Sequence, residues 1–499
     1  MGAVYTELLD KIRELHALRS VEGVLEWDQE TQMPKKAAAA RAEQIALIAG
    51  LAHQRLASDE MGDLLSKAEG AGAADDPAHA TNIRETRRDH DRAVRIPNEL
   101  VREYARAASL GKDAWQKARA ESNFAAFMPA LQRLLDIRIR YAEHYGWKSE
   151  PYDALMDEFE PGATAAEVAA VFSGMKTELA GLVSRIMQAP KQPNSALLER
   201  DFPVEQQAAF NRELAGAINF DFEAGRIDVS THPFCSGFSP TDVRLTTRYH
   251  KNMAAMSMFG TLHEAGHGLY EQGFSPEHTN TPMAQAISLG IHESQSRMWE
   301  NQVGRSRPFW EFFFPKAKAR FQALSDVSLD DWHFAVNAVK PSLIRVEADE
   351  VTYGLHIILR FEIERRMLRK EISLKDIPDA WNTSMQELIG ITPPNDAQGC
   401  LQDIHWAQGI FGYFPTYALG NLYSAQFFNA AQNAMPDMWE QIRNGRMTPL
   451  REWLREHIHK HGRRYRAKEL VKVVTGEELS PEPFMAYLNE KYGALYGLV

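Results

Sequence analysis

Cysteine is nearly absent: the 499 residues hold only Cys235 and Cys400, too few for the disulfide framework of a small secreted scaffold. That scarcity predicts a reducing, cytoplasmic setting. No run approaches the ~18 uninterrupted apolar residues of a membrane span, and the opening MGAVYTELLDKIRELHALRS lacks the apolar core of a secretory signal. Basic charge is in deficit, with 56 Lys and Arg against 67 Asp and Glu. No overall positive field therefore attracts nucleic acid or anionic lipid, and neither is expected as a partner. Internal repeats and low-complexity tracts are missing too, which excludes a solenoid. What is present is an ordinary globular composition, 44% hydrophobic and 25% charged, able to bury a large core.

Apolar residues recur at helical spacing through most of the chain, as in Leu8, Ile12, Leu15 and Leu18, or Leu131, Leu134, Leu135 and Ile139, so the fold is expected to be mainly α. AEGAGAADDPAHA, from Ala68 to Ala80, reads as a helix–helix connection. A second break, APKQPNS from Ala189 to Ser195, follows a helix ending near Met187. Length leaves the number of domains open, and this break separates an N-terminal helical half, 1–190, from a half, 191–499, that carries the chemistry. Between Arg226 and Thr247 the period shortens to two, which predicts a strand pair. Its second strand places Asp242, Arg244 and Thr246 on a polar face, expected to border a cleft, and Val243 and Leu245 on the other. The later helices are expected to break at prolines that include Pro308, Pro315, Pro378 and Pro415. The aromatic run PFWEFFFP, from Pro308 to Pro315, reads as core, and His457 and His461 as a solvated helix end.

HEAGH, His263 to His267, sits in an apolar helical run soon after the strands. Positions i and i+4 share a helix face, so both imidazoles can address one metal ion, while the neighbouring Glu264 can reach a water there as general base. A third ligand is required. Glu293, in SLGIHESQSRMWEN, can meet the pair from a second, antiparallel helix after a turn around Pro276 to Pro282. His292 projects about 100° away on that helix and is expected to support the site without joining it.

These segments are not alone. HPF (His232 to Phe234), DVRLT (Asp242 to Thr246), HEAGH, HESQ (His292 to Gln295), IRVEAD (Ile344 to Asp349) and GYFP (Gly412 to Pro415) occur in that order, with LEWDQETQMP near the N-terminus. In this the chain resembles the carboxypeptidase Taq, or M32, family of zinc metallocarboxypeptidases. The resemblance implies a large helical gluzincin fold with a central cleft and release of C-terminal residues from peptides. It also implies a homodimer, one zinc ion on His263, His267 and Glu293 with cobalt or manganese as substitutes, and Glu264 as general base and acid.

An exopeptidase must also grip the terminal carboxylate, and a guanidinium fork suits that planar anion. Arg345 and Arg244 are the candidates; the competing role for each is an ion pair, with Asp349 or Asp242 respectively. Arg345 and Asp349, four apart, would pair on a helix. His405 and Tyr413 are candidate donors to the developing oxyanion, and His232 a candidate cleft residue. Two other readings stand beside this one: an oligopeptidase that cuts internally, and a helical interaction protein without catalysis.

Overall fold

The computed structural model describes residues 2–71 and 76–498. Of the Ala68–Ala80 connection, residues 72–75 lie outside the described residues. On either side, the helix Asp59–Gly70 ends and Asp76 starts the helix Pro77–Arg95 by accepting the N–H groups of Ala78 and His79. Helices fill the N-terminal part from Gly2–Thr31 to Ala165–Gln188. Thr164 and Glu167 close the start of the latter with reciprocal side-chain bonds to backbone N–H groups that have no helical partner. One large core runs from Ile96 to Tyr496. A smaller cluster joins Leu8 and Ile12 of the first helix to Leu64 and Leu65.

The expected strand pair is a three-stranded sheet. β1 (Gly225–Val229) runs parallel to the central β3 (Asp242–Thr247), and β2 (Cys235–Ser239) runs antiparallel on the other side of β3. β2 has the sequence CSGFS, whose small polar residues hide the alternation that marks the other two. On β3 Val243 and Leu245 are buried and Asp242 and Arg244 partly exposed as predicted, but Thr246 is buried, its hydroxyl accepting from Ser230 and the Phe234 N–H between β1 and β2. Pro315 does not break a helix as expected: it lies inside Arg307–Arg320. Phe309, Trp310, Phe313 and Phe314 are buried there and hold the segment in the core, which offsets the lost backbone bond. Pro308, Pro378 and Pro415 instead begin helices, where a missing N–H costs nothing. His457 and His461 do not share one helix; His457 ends Thr448–His457, stacked on Trp453, and His461 lies in the turn His459–Arg464.

Candidate active site

The helix Ala254–Gly273 buries Met258, Leu262, Ala265 and Leu269 along one stripe, which leaves His263 and His267 on a neighbouring face, one turn apart. Against it packs the shorter helix Leu289–Arg297, started by Ser288, whose hydroxyl accepts the Ile291 N–H. Two glycines allow the approach. A Cβ on Gly266 would lie 2.7 Å from the Ser296 Cα, and one on Gly420, from the helix Phe414–Ala434, would lie 2.5 Å from the Glu293 Cγ. Glu293 is thereby clamped between two helices.

Its Oε2 lies 3.6 Å from the His263 Nε2 and 3.4 Å from the His267 Nε2, and the three ligand atoms fall within 4.8 Å of one another. The donor set, two imidazoles and one carboxylate, suits a divalent ion with positions left for water and substrate. Other bonds fix each ligand in this orientation. His263 turns its Nδ1 to Glu300 at 2.9 Å, and Glu293 accepts from the Arg297 Nε at 2.7 Å. The His267 Nδ1 meets the His292 Nδ1 at 2.5 Å, and the far side of His292 meets Glu271 at 2.8 Å. His292 therefore stands behind a ligand, as its helical position predicts. Burial alone would lower the His263 imidazole, yet the carboxylates of Glu293 and Glu300 overcome it and raise its pKa to about 8. Burial, with the neighbouring His292, instead lowers the His267 imidazole to about 3, so the two histidines of the cradle differ in their affinity for a proton.

Glu264 is buried and belongs to no ion pair among the described residues. Desolvation, with Glu293 and Glu300 nearby and His263 opposing, holds its pKa at about 7, which suits a base working near neutrality.

Beyond Glu293 the polar network continues. The Arg297 guanidinium lies 4.4 Å from the centre of the Tyr353 ring, whose hydroxyl accepts from the Arg345 Nη1 at 3.0 Å. The partner expected for Arg345 is corrected here: it pairs with Asp403, at 3.0 Å from Nε and 2.9 Å from Nη2. IRVEAD folds as a short turn, Arg345–Glu347, and Asp349 instead accepts the N–H groups of Lys340, Val351 and Thr352. Asp403 also binds the fully buried Arg360. Arg345 retains N–H donors that these bonds do not use.

His405 and Tyr413 are brought together, ring centres 5.4 Å apart, beside Tyr417. Burial lowers the His405 imidazole to about 4 and raises the Tyr413 phenol, so both are neutral donors at physiological pH. Their loop is anchored by Glu364 on the helix Tyr353–Leu368, which accepts from Trp406 Nε1, the Gly412 N–H and the Tyr152 hydroxyl. Arg244 has the carboxylate partner expected for it, Asp242, at 2.8 and 2.9 Å, and lies 4.4 Å over the Trp27 ring of the LEWDQETQMP segment. His232 is exposed between β1 and β2; its carbonyl accepts from Ser230, and its side chain makes no hydrogen bond among the described residues. The sequence reading assigned no role to Glu271, Glu300, Arg297, Asp403 or Glu364. Glu300 sits in the π-helical segment Met298–Val303, where an expanded turn shifts the helical register that side-chain spacing arguments assume.

Glu364 supplies a pH test. Burial outweighs its three donors and raises its pKa from 4.5 to about 7. The folded chain thus keeps a proton that the unfolded chain releases earlier. The resulting stabilisation is full below about pH 4.5 and is lost as pH rises through 7. Glu364→Gln should flatten urea midpoints between pH 5 and 8, removing on the order of 3 kcal/mol of pH-dependent change. Equal slopes in variant and parent would show the carboxyl ionised throughout.

Two imidazoles and a carboxylate converging beside a buried Glu264, in a mainly helical fold, are the arrangement a metallopeptidase requires. The family model described as carboxypeptidase Taq (M32) metallopeptidase matches residues 7–492, and the chain belongs to that family. It is 47% identical to thermostable carboxypeptidase 1 of Thermus thermophilus over 99% of both chains, and 36% identical to carboxypeptidase 1 of Bacillus subtilis over 98% of both. The crystal structure of the M32 carboxypeptidase from Deinococcus radiodurans superposes with a TM-score of 0.97 at 38% identity, covering 99% of this chain and 100% of that one. The chain is accordingly a metal-dependent carboxypeptidase, and neither internal cutting nor a non-catalytic scaffold is favoured.

Proposed function

We propose that the chain releases single C-terminal residues from peptides, with one zinc ion held by His263, His267 and Glu293. The observation that carries this reading is the convergence of the three ligand atoms next to a buried, unpaired Glu264. Held by His263, His267 and Glu293, a divalent ion would supply Lewis acidity toward a water and the scissile carbonyl. Glu264 takes the water proton and returns it to the leaving amine. Tyr413, with His405 beside it, donates to the oxygen on which negative charge develops. Arg345, prealigned by Asp403 and Tyr353, pairs its remaining N–H groups with the substrate carboxylate and fixes which bond is attacked. Arg244 and His232 are given no step, because neither side chain is hydrogen-bonded to the cradle or to the Arg345 network among the described residues. Two imidazoles and a carboxylate accept cobalt and manganese as well as zinc, so availability decides among them. We also propose a cytoplasmic homodimer; the two cysteines are free thiols, which fits a reducing compartment.

The test is a peptide set with free and amidated C-termini, followed by mass spectrometry. Amidation removes the charge-assisted hydrogen bonds that the spare Arg345 N–H groups make to the carboxylate, roughly 1.5 to 3 kcal/mol, so cleavage should fall at least about tenfold. Arg345→Ala should narrow that difference. Equal cleavage of both ends, or early release of internal fragments, would overturn the reading.

A further inference from the structure

A cavity of about 410 Å³ opens beside the site. Two of its lining residues touch the catalytic network directly: Glu271 holds His292, and Phe159 packs on the Tyr413 ring at 5.0 Å. The cavity adjoins the metal cradle from the His267 side. Arg345 joins the cradle through Glu293, Arg297 and Tyr353 and does not line the cavity. With the terminal carboxylate on Arg345 and the scissile bond over the cradle, this adjoining cavity, which Arg345 does not line, is left to the residues before that bond.

The far wall of the cavity is built from guanidinium groups with too few partners. Arg19, Arg88 and Arg463 line it, and all three share Asp89, at 3.8, 3.4 and 3.5 Å. Arg88 has a second carboxylate in Asp157 at 2.8 Å, whereas Arg19 forms no other ion pair among the described residues, and Arg463 adds only the Ala286 carbonyl. The acids of the same walls are committed elsewhere, Glu85 to Arg84 and Arg466, Glu158 to Arg138, and Glu271 to His292. Glu22, three residues along the first helix from Arg19, is a half-buried carboxylate whose charge opposes that of Arg19 only at longer range. Desolvation and the charges of Arg19 and Arg463 together keep the neighbouring His16 neutral. Arg19 and Arg463 thus share one distant carboxylate and keep N–H donors free, to which an added anion can make charge-assisted hydrogen bonds.

We propose that the cavity is a subsite for the substrate upstream of the scissile bond, and that Arg19 and Arg463 there select an acidic side chain. The proposal rests on Arg345 holding the terminal carboxylate. It makes the enzyme a carboxypeptidase for peptides with Glu or Asp a few residues before the bond that is cut, a property separate from the identity of the released residue.

The experiment uses the metal-loaded enzyme and peptides of one length and one C-terminal pair, with Glu, Gln or Lys placed in turn at the second to fifth position before the scissile bond. At one of these positions kcat/KM should be about tenfold higher for Glu than for Gln, and lower again for Lys, with the preference shrinking as salt is raised. Arg19→Gln and Arg463→Gln should each bring the Glu-to-Gln ratio toward one. Because a ratio is read, a general loss of activity in a variant does not mask the result. Equal kcat/KM for Glu, Gln and Lys at every position in the wild-type enzyme overturns the subsite, as does a ratio that survives both substitutions together. If instead no peptide loses its last residue, the assignment of Arg345 and the carboxypeptidase reading fail first, and the two failures are told apart by the Gln peptides alone.

Discussion

Glu264→Gln is expected to lower turnover by about a thousandfold or more while metal content stays at that of the parent enzyme. The side chain is buried, and the three ligand atoms of the cradle come from other residues, so an amide of the same volume leaves the cradle in place. An amide has no useful proton affinity near neutral pH and cannot take the proton from the attacking water. KM should change little, because Glu264 makes no contact assigned to substrate binding. Metal analysis and steady-state kinetics on the same preparation decide the matter. Loss of metal together with activity would make Glu264 a ligand and reopen the place of Glu293. Near-normal turnover would remove the general base from the mechanism.

His267→Ala is expected to abolish both bound metal and activity. It deletes one of the two imidazoles that converge on the Glu293 Oε2 and leaves His292 without its 2.5 Å partner. A remaining His–Glu pair cannot hold a divalent ion against dilution as three preorganised ligands do. The parent should gain thermal stability when the metal is added, since only the folded state binds it well, and the variant should not. A metal titration followed by calorimetry reads both effects. Stoichiometric metal in the variant, or an unchanged gain in melting temperature, would show that the ion sits elsewhere.

The two predictions differ in how much structure they needed. That His263 and His267 share a face follows from helix geometry and a five-residue span, and the place of His292 behind the site follows from its being adjacent to Glu293 on one helix. Strands were legible where side chains alternate in size and polarity, as in DVRLTT, and illegible in CSGFS, where small residues leave no pattern. Pro315 misled because a proline inside a helix costs backbone bonding, but the aromatic burial around it is larger. Arg345 misled for a related reason: spacing of four implies a pair only if the segment is helical, and IRVEAD is a turn.

By itself the sequence determined the mainly helical class, the shared face of the two HEAGH imidazoles, and the candidacy of the HESQ carboxylate and of Glu264 beside them. Each depends on local periodicity or on chemistry carried within a few residues. The tertiary structure alone decided what surrounds them. Arg345 meets Asp403, 58 residues away, Trp406 meets Glu364 across 42, and Gln295 meets His459 across 164. The guanidinium wall likewise joins the first helix to Arg463. No local signal can encode such meetings, because they arise when helices far apart in the chain pack against one core. Which buried charge then finds a partner, and which is left to bind a substrate, depends on that packing.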